Sequence, residues 1–417
     1  MKDNDPQKQN RALIISLGTR RLSGVITENL GASTRVLRFA ELQNAEGFKR
    51  GEVAELDKAA ASLGEIFTRL ELGEEAATIP TYVLLSGPHL KMTRFSSSVY
   101  YSGYPRVITS NEVRQVIEQT RSVVPLALED WILQVIPESF WVNDLTGVLD
   151  PLGLEAQRLA VQLQIYTTRY ASFRNVARLF ETLECNLQGY FPKTLTLPEG
   201  VLNASEKEGE VLLMDFSDES THLVLTREGK VLETKSLDLG SRFLTSRIAD
   251  QWQLSLRDAE RLKERFGSLE ENPPLGEELI PLIEKDGLQN HQIKRAEFHQ
   301  SFYRFGEALF AEVEKAVKEL LQEARVRCPS LVLTGGGAKL EGLLDFLSRR
   351  FSWPVRLGTP RRVEAPAELL MDPSWCGLAG LLHWIEKGSK EKNRAFAKEN
   401  VFERTLLQLK EWVAAYF

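Results

Sequence analysis

Two β-hairpin patterns, one opening each half of the chain, constrain the fold more than any other feature. Residues 12–19 and 24–27 are β-rich runs joined by a turn that carries Gly18. Residues 211–217 and 221–225 repeat this arrangement. Apolar runs bounded by short polar or glycine-containing turns are typical of hairpins. The repeat predicts an internal duplication, and therefore two lobes that open in the same way.

Helical and extended patterns alternate after each hairpin. A helical pattern at 57–70 precedes a strand pattern at 82–87, and a buried strand pattern at 331–337 ends in three glycines. Helical patterns also cover 169–187, 243–252, 256–266, 298–328 and 340–351. With 417 residues, 43% of them hydrophobic, the chain is long enough for two or three domains with real cores. We expect an α/β fold.

Residues 88–166 have a different order of helical and strand patterns from the rest of the chain. Thr109 and Glu112 have the spacing of a capping box, in which each side chain satisfies a free backbone donor at the start of a helix. Strand patterns follow at 131–142 and 159–166, and the second alternates apolar residues with Ala or Gln. We expect one small α+β unit here.

Charge, cysteine spacing and hydropathy argue against several classes of protein. With 52 Lys and Arg against 58 Asp and Glu, the net charge of −6 is wrong for a nucleic-acid binder. Cys185, Cys328 and Cys376 are isolated, so neither a disulfide framework nor a zinc site is expected, and a reducing cytoplasm fits best. Residues 1–11 are polar and no apolar run reaches 18 residues, which argues against a signal peptide or a membrane-spanning helix.

The glycine run Gly335, Gly336 and Gly337 lets the backbone approach a flat ligand where a Cβ atom would collide. If the hairpin turns of two lobes face each other, such a run lines a nucleotide cleft. A tight strand-to-helix turn explains the same glycines about as well, so both interpretations stand.

The C-terminal residues combine a charged segment with an amphipathic one. Residues 386–400 have too little apolar surface to order themselves, which predicts a flexible linker. At about 100° per residue, an arc of about 140° holds seven large side chains of 401–417: Phe402, Leu406, Leu409, Trp412, Val413, Tyr416 and Phe417. A helix of about 25 Å that carries charges is expected to lie in the membrane interface rather than to span it. Docking on the protein's own core or on a partner helix is the alternative.

Several short motifs occur in a fixed order along the chain: Gly47 with 51–53, then 86–89, 135–140, 150–153, 259–263, 304–307 and 333–337. In this order they resemble the FtsA family, whose actin-like members tether the bacterial division filament FtsZ to the membrane. The resemblance covers nearly the whole chain. It implies a two-lobed, actin-like α/β fold of the duplicated ribonuclease-H type. The implied parts are a first lobe at 11–87 and 167–200, its inserted α+β subdomain at 88–166, and a second lobe at 201–385 that includes a partner-binding subdomain at about 245–328.

The resemblance also implies a site for ATP or ADP with Mg²⁺. The implied nucleotide-binding residues lie in both turns, in one helix and in the glycine run: Gly18, Thr19, Arg20, Asp215, Ser217, Ser220, Thr221, Glu260, Lys263, Gly335, Gly336 and Gly337. Asp215 is the implied metal ligand. The first turn departs from the family pattern at Ser16, where Asp or Glu is usual.

The second turn departs further, because residues 217–219 read Ser-Asp-Glu where the family has three glycines. Two like charges about 4 Å apart repel by roughly 4 kcal/mol at an effective dielectric of about 20, so Asp218 and Glu219 disfavour a triphosphate. Arg20 and Arg21 on the other turn are expected to offset part of this cost. A nucleotide cleft kept only as a scaffold is the alternative.

The implied partner site lies in the second lobe. The family holds the acidic, apolar tail of FtsZ with an Arg-x-x-Glu pair, which here matches Arg304 and Glu307. Lys294 and Arg295 lie in the same region, which we expect to be helical. The pair is equally typical of a routine i,i+3 ion pair on a helix surface, so both interpretations stay open.

The function implied by the resemblance is that of a cell division adaptor. Such a protein self-associates, tethers FtsZ to the cytoplasmic face of the cell membrane at the septum and recruits later division proteins. Nucleotide is then an assembly effector, with at most weak ATPase activity, and nucleic acid is not a partner. The alternatives are an ATP-dependent phosphotransferase on the same fold and a pilus-assembly actin-like adaptor without the lipid anchor.

Overall fold

The computed structural model describes residues 11–29, 33–274, 277–283, 290–327 and 329–397. These residues divide into two compact units. Unit 1 runs to Lys193 and resumes at Leu381, and unit 2 is Thr194–Gly380. The division lies a few residues away from the predicted lobe boundaries at 200 and 385.

Unit 1 is built mainly of strands. Its elements are β1 (Arg11–Leu17), β2 (Arg21–Asn29), β3 (Thr34–Gln43), β4 (Phe48–Lys49), β5 (Glu52–Val53), α1 (Leu56–Arg69), β6 (Thr81–Leu85), β7 (Lys91–Tyr100), β8 (Arg106–Val107), α2 (Ser110–Ser122), β9 (Asp130–Val142), β10 (Leu145–Val148), β11 (Glu155–Ala156), β12 (Arg158–Arg169), α3 (Tyr170–Thr182) and β13 (Leu187–Pro192).

Helix α4 (Lys193–Val201) leads into unit 2, and α10 (Cys376–Ala397) leaves it. Between them lie β14 (Glu210–Phe216), β15 (Thr221–Arg227), β16 (Lys230–Leu237), α5 (Arg242–Gln251), α6 (Leu256–Phe266), β17 (Leu279–Ile283), β18 (Asn290–Lys294), α7 (Arg295–Ala324), β19 (Ser330–Thr334), α8 (Leu343–Phe351), β20 (Val355–Leu357) and α9 (Ala367–Met371).

The two units contain five-stranded sheets of the same topology. The strand order is β3-β2-β1-β6-β13 in unit 1 and β16-β15-β14-β19-β20 in unit 2. In each sheet, three antiparallel strands are followed by two that run parallel to the first strand of the hairpin. The internal duplication predicted from the two hairpins is therefore confirmed.

Apolar residues of the hairpin strands build the two cores. Leu13 and Ile15 of β1 are completely buried and belong to the same cluster as Leu63 of α1. In unit 2, Phe216 of β14 is completely buried, and its ring centroid is 5.3 Å from that of Phe310 in α7. Successive side chains of a strand point to opposite faces of the sheet. Packing of one face against a helix therefore fixes the position of each strand, including its last residues. The turns that follow β1 and β14 are thereby held at the edges of rigid sheets.

The segment 88–166 folds as a small α+β subdomain. Its main sheet has the order β10-β9-β12-β7, and residues of α2 pack on one face. On β12, Leu159 and Leu163 are completely buried, as the alternating pattern predicts. The Thr109 N–H donates to Glu112 Oε2 over 2.9 Å, and the predicted capping box starts α2.

Two helical predictions are wrong at their ends. The pattern at 169–187 forms α3 only as far as Thr182, because Glu184 takes a positive φ of 53° and the chain turns into β13. The pattern at 298–328 begins earlier, at Arg295, and ends at Ala324, where Arg325 has a φ of 56°. A left-handed residue is a common helix terminator, but for Glu and Arg the sequence gives no sign of it.

The predicted linker is partly helical. Helix α10 continues from the buried Cys376 to Ala397, so a flexible linker starting at 386 is wrong for 386–397. Lys, Glu and Arg are good helix formers, and lengthening an existing helix costs less than nucleating one. The predicted membrane helix at 401–417 lies outside the described residues. Within the described ranges, no helix combines the length and apolarity that crossing a bilayer requires.

Candidate functional site

The turn between β1 and β2 is shaped by Gly18 and Thr19. The Gly18 N–H donates to the Arg21 carbonyl over 3.2 Å, and a Cβ atom at Gly18 would lie only 2.6 Å from that oxygen. The Thr19 hydroxyl accepts a hydrogen bond from the Gly51 N–H over 3.1 Å. Glycine is required here by the turn itself, and Thr19 ties the turn to the β4–β5 hairpin.

Arg20 and Arg21 are engaged close to their own turn. The Arg20 guanidinium donates to the side chain of Asn44, and Arg21 pairs with Glu41. Both contacts lie in unit 1, at β3 and immediately after it. That these arginines also offset the negative charge of the β14–β15 turn stays a prediction.

Three polar side chains for which we predicted no role lie close to the carboxylate of Glu52. The Ser172 hydroxyl donates to its carboxylate, His89 Nδ1 lies 3.8 Å from Oε1, and Arg169 Nη1 lies 4.0 Å from Oε2. His89 lies just before β7, where the chain enters the inserted subdomain, and Arg169 ends β12, where the chain leaves it. Both connections therefore contact the same carboxylate. Burial lowers the pKa of His89 below its ordinary value.

Asp215 is the centre of the turn between β14 and β15. Its side chain is completely buried. Oδ1 accepts a hydrogen bond from the Thr334 hydroxyl over 3.3 Å, and Oδ2 accepts one from the Ser217 hydroxyl over 3.2 Å. The Ser217 N–H closes the turn on the Ser220 carbonyl over 3.0 Å, and the Thr221 hydroxyl donates to the backbone carbonyl of residue 239 over 2.6 Å. Four of the predicted residues thus come together.

Asp215 does not fit the role of a magnesium ligand. Mg²⁺ takes oxygen ligands at about 2.1 Å and usually keeps several waters. The Asp215 carboxylate is excluded from solvent, and hydroxyl donors already occupy both oxygens. In the part of the chain that the structure describes, no three His, Cys, Asp or Glu side chains are grouped to hold a metal ion.

Asp218 and Glu219 face Arg242, the first residue of α5. Arg242 Nη1 lies 3.8 Å from Asp218 Oδ2, and Nε lies 3.5 Å from Glu219 Oε1. A positive partner of both carboxylates therefore lies in the same unit, at the start of α5. The sequence could not reveal this contact, because the tertiary fold brings the start of α5 to the turn.

A polar cluster between α5 and α6 holds the predicted residues Glu260 and Lys263. Lys263 Nζ lies 2.9 Å from Glu260 Oε1 and 3.3 Å from the Ser241 hydroxyl oxygen. The Thr245 hydroxyl donates to the other oxygen of Glu260 over 2.5 Å. Because the Ser241 N–H also donates to the Ser217 carbonyl over 2.9 Å, this cluster is connected to the β14–β15 turn.

The three glycines after β19 have different environments. A Cβ atom at Gly335, whose φ is 91°, would lie 2.4 Å from the Phe216 carbonyl oxygen, and one at Gly337 would lie 2.5 Å from the Phe216 ring. A Cβ atom at Gly336 would meet nothing within 4 Å. Packing on Phe216 thus explains two of the glycines as a tight turn, while Gly336 leaves backbone open to a ligand.

A buried histidine beside this turn carries no predicted role. His222 is the register partner of Asp215 on β15 and is almost completely buried. Its Nε2 lies 3.1 Å from the Ser220 hydroxyl, and its Nδ1 lies 2.8 Å from the Ser236 hydroxyl.

The predicted partner residues are spread along one side of unit 2. Lys294 ends β18 instead of lying in a helix, and Arg295 begins α7. Arg295 Nη1 lies 2.7 Å from Glu278 Oε2, and its guanidinium carbon lies 5.9 Å from the centroid of the Phe266 ring. Arg304 lies nine residues further along α7, about 13 Å of helical rise.

The predicted ion pair between Arg304 and Glu307 is not the one that forms. Arg304 Nη2 donates to the Ser301 hydroxyl over 3.3 Å. Glu307 Oε2 lies 2.8 Å from Arg350 Nη1 of α8 instead. An i,i+3 spacing permits a contact between two helical side chains, but a partner on a neighbouring helix can take precedence.

The residues of unit 2 fit a nucleotide at one end only. Gly336 and the cluster of Glu260 and Lys263 provide open backbone and hydrogen-bonding groups of the kind that bind a base and ribose. The turn with Asp218 and Glu219 offers carboxylates where phosphates need donors. The side chains present therefore do not fit the triphosphate and its metal.

Two family models match this chain. One described as "Cell division protein FtsA" matches residues 212–380, and one described as "SHS2 domain inserted in FTSA" matches residues 87–167. A curated relative, "Cell division protein FtsA" of Borreliella burgdorferi, is 25% identical over 411 residues, which cover 97% of this chain and 98% of the relative. The similarity thus extends over both units.

Two solved structures with a similar fold are of particular use for comparison. The "PilM-PilN type IV pilus biogenesis complex" has a TM-score of 0.65 at 18% identity, covering 89% of this chain and 98% of that one. MreB5 of Spiroplasma citri bound to AMPPNP has a TM-score of 0.54 at 12% identity, covering 93% of this chain and 99% of that one. At these identities the likeness supports the actin-like fold alone.

Proposed function

Because this chain belongs to the FtsA family of cell division proteins, we propose that it is an adaptor that self-associates and links FtsZ filaments to the cytoplasmic membrane. The observation that carries the proposal is the inserted α+β subdomain between β6 and α3, which matches the family's own insertion. This insertion distinguishes the family from ordinary actins and sugar kinases. The subdomain is the candidate surface for self-association and for later division proteins.

The surface around α7 is the proposed site for the tail of FtsZ. Lys294, Arg295 and Arg304 place three cationic side chains at the start and along the first turns of this helix. An acidic peptide gains charge-assisted hydrogen bonds from such groups, which are stronger than neutral ones. Glu307, held by Arg350, limits how far that cationic surface extends.

The segment 401–417 is the proposed membrane anchor. Seven of its large apolar side chains share one face, and Arg404, Gln408 and Glu411 lie on the other. Such a helix binds in the membrane interface. Its binding is reversible, because the entropy lost when the helix becomes ordered opposes much of the free energy gained by burying apolar side chains. The cytoplasmic face of the membrane at the septum is then the site of action.

We propose that nucleotide is neither a substrate for phosphate transfer nor a requirement for tethering. MreB5, which shares the fold, was solved with AMPPNP bound. In this chain, Gly336, Glu260 and Lys263 would contact the adenosine end, and nothing in the β14–β15 turn suits phosphate transfer. A phosphotransferase would need Asp215 as its base, but that carboxylate is buried and accepts hydrogen bonds from Thr334 and Ser217.

The proposal is tested by a bridging assay on vesicles. A fluorescent protein fused to the FtsZ tail is mixed with the full chain and anionic phosphatidylglycerol vesicles, and the fluorescence that sediments with lipid is measured. We expect the fusion to sediment only when the chain is present. Trp412→Glu should weaken binding by about 2 to 3 kcal/mol, because it places a charge on the apolar face.

The matched control is Gln408→Glu, which adds the same charge on the polar face and should leave sedimentation unchanged. If Trp412→Glu sediments with lipid as well as the wild type does, the anchor assignment is wrong. An adaptor of the pilus type would likewise keep its localisation after removal of 401–417. Absence of bridging by the wild type would contradict the adaptor function as a whole.

A further inference from the structure

The β14–β15 turn of unit 2 contains two acidic side chains that both contact Arg242. Asp218 and Glu219 share Arg242 at 3.8 Å and 3.5 Å, and all three side chains are at least two-thirds buried. Arg242 begins α5, so the three side chains lie where this helix meets the turn.

The backbone donors at the start of α5 are also taken by the protein. The N–H groups at a helix start normally have no partner within the helix and are a common site for phosphate. Here the Ser241 N–H donates to the Ser217 carbonyl over 2.9 Å, and the Arg242 N–H donates to the Asp218 carbonyl over 2.8 Å. The next two N–H groups, of Phe243 and Leu244, donate over 3.0 Å to carbonyls of residues 240 and 241.

Gly240 makes this close approach possible. A Cβ atom there would lie 2.4 Å from the Asp218 carbonyl oxygen and 2.6 Å from that of Ser217. Any other residue would push the start of α5 away from the turn. The turn and the helix therefore fit each other directly, through backbone hydrogen bonds and through the Arg242 ion pairs.

We infer that Asp218 and Glu219 are resident anions, which hold Arg242 and close this turn on α5 in place of the phosphates of a nucleoside triphosphate. The unit then has a closed turn without any nucleotide. An added phosphate would meet two carboxylates and backbone donors that are already occupied. For the proposed adaptor, on which this consequence rests, tethering would be controlled by concentration, membrane and partner instead of by ATP.

The test measures ATP binding by the full-length chain with Mg²⁺, using titration calorimetry. The main variant is Asp218→Asn with Glu219→Gln, which keeps the shapes of both side chains and removes both charges. The control is Glu312→Gln with Glu323→Gln, which makes the same change of charge on the exposed side of α7. Adding Arg242→Gln to the main variant removes the positive partner as well.

We expect no measurable binding by the wild type or the control at about 1 mM ATP, and affinity at least about tenfold higher in the main variant. Arg242→Gln should abolish that gain. Micromolar binding by the wild type would overturn the inference, and so would a folded main variant that binds no better than the control. If the main variant fails to fold, the wild-type titration still decides. The ATP titrations do not depend on the bridging assay. A failure of this inference can therefore be distinguished from a failure of the proposed adaptor function.

Discussion

Asp215 and Thr334 are register partners on the parallel strands β14 and β19, and the Thr334 hydroxyl donates to Asp215 Oδ1 over 3.3 Å. The pair joins the penultimate residue of β14 to the last residue of β19, beneath the β14–β15 turn. It also places the glycines after β19 beside that turn. A buried carboxylate held in this way acts as a structural centre of unit 2, not as a metal ligand.

Thr334→Val removes one donor from the buried carboxylate. We expect a loss of about 1.5 to 3 kcal/mol in the free energy of unfolding, the range for hydrogen bonds to charged groups. Thr226→Val is the matched control, because that buried hydroxyl donates to the neutral Val211 carbonyl over 3.2 Å, and about 0.5 to 1.5 kcal/mol is expected. Urea unfolding measures both. A smaller loss for Thr334→Val than for Thr226→Val would contradict the structural role of Asp215.

The three glycines after β19 should respond differently to alanine. Gly335→Ala is expected to cost more than about 1 kcal/mol, because its φ is positive and its Cβ atom would collide with the Phe216 carbonyl. Gly336→Ala has free space and should change stability little. Thermal unfolding of the two variants makes the comparison. Equal losses would show that Gly336 is also required by packing, and would remove the argument that its backbone is open to a ligand.

His89 should make the stability of unit 1 depend on pH. Burial lowers its pKa in the folded chain, so between the unfolded value of about 6.5 and the lower folded value the unfolded state binds more protons. Its contribution to stability is therefore complete above pH of about 6.5 and is lost as the pH falls toward the folded pKa. His89→Gln should flatten this part of the pH dependence in urea unfolding. An unchanged slope would show that other groups cause it.

Arg304→Ala tests the partner surface. We expect about tenfold weaker binding of an FtsZ tail peptide, measured by fluorescence anisotropy, because a charge-assisted contact is lost. Lys318→Ala is the control on the same helix, since its side chain is 71% exposed and pairs only locally with Glu314 at 2.5 Å. If both variants bind the peptide like the wild type, the tail binds elsewhere.

The duplication and the inserted subdomain could be predicted because both depend on patterns within short segments. The two hairpins have similar apolar runs. On β12, Leu159 and Leu163 lie on one face of the strand, and both are buried. Such patterns reflect which side chains must be buried, and burial follows the period of the element. The sheets and their cores therefore agree with the prediction.

The partners of charged residues could not be predicted, because distant segments supply them. Glu307 pairs with Arg350, 43 residues later, although Arg304 has the better local spacing. Arg242 likewise reaches Asp218 and Glu219 only because α5 packs beside the turn. Local spacing determines which contacts are possible, and tertiary packing selects among them. The continuation of α10 beyond residue 386 has a similar cause, since its buried first turns nucleate the charged ones.

The most direct test of the account is the bridging assay with and without ATP and Mg²⁺. It measures how much FtsZ-tail fusion the full chain carries onto anionic vesicles. The account predicts bridging that is the same in both conditions, since Asp218 and Glu219 close the turn without nucleotide. Bridging that requires ATP would contradict it, and the absence of bridging in both conditions would show that the chain is not the proposed adaptor.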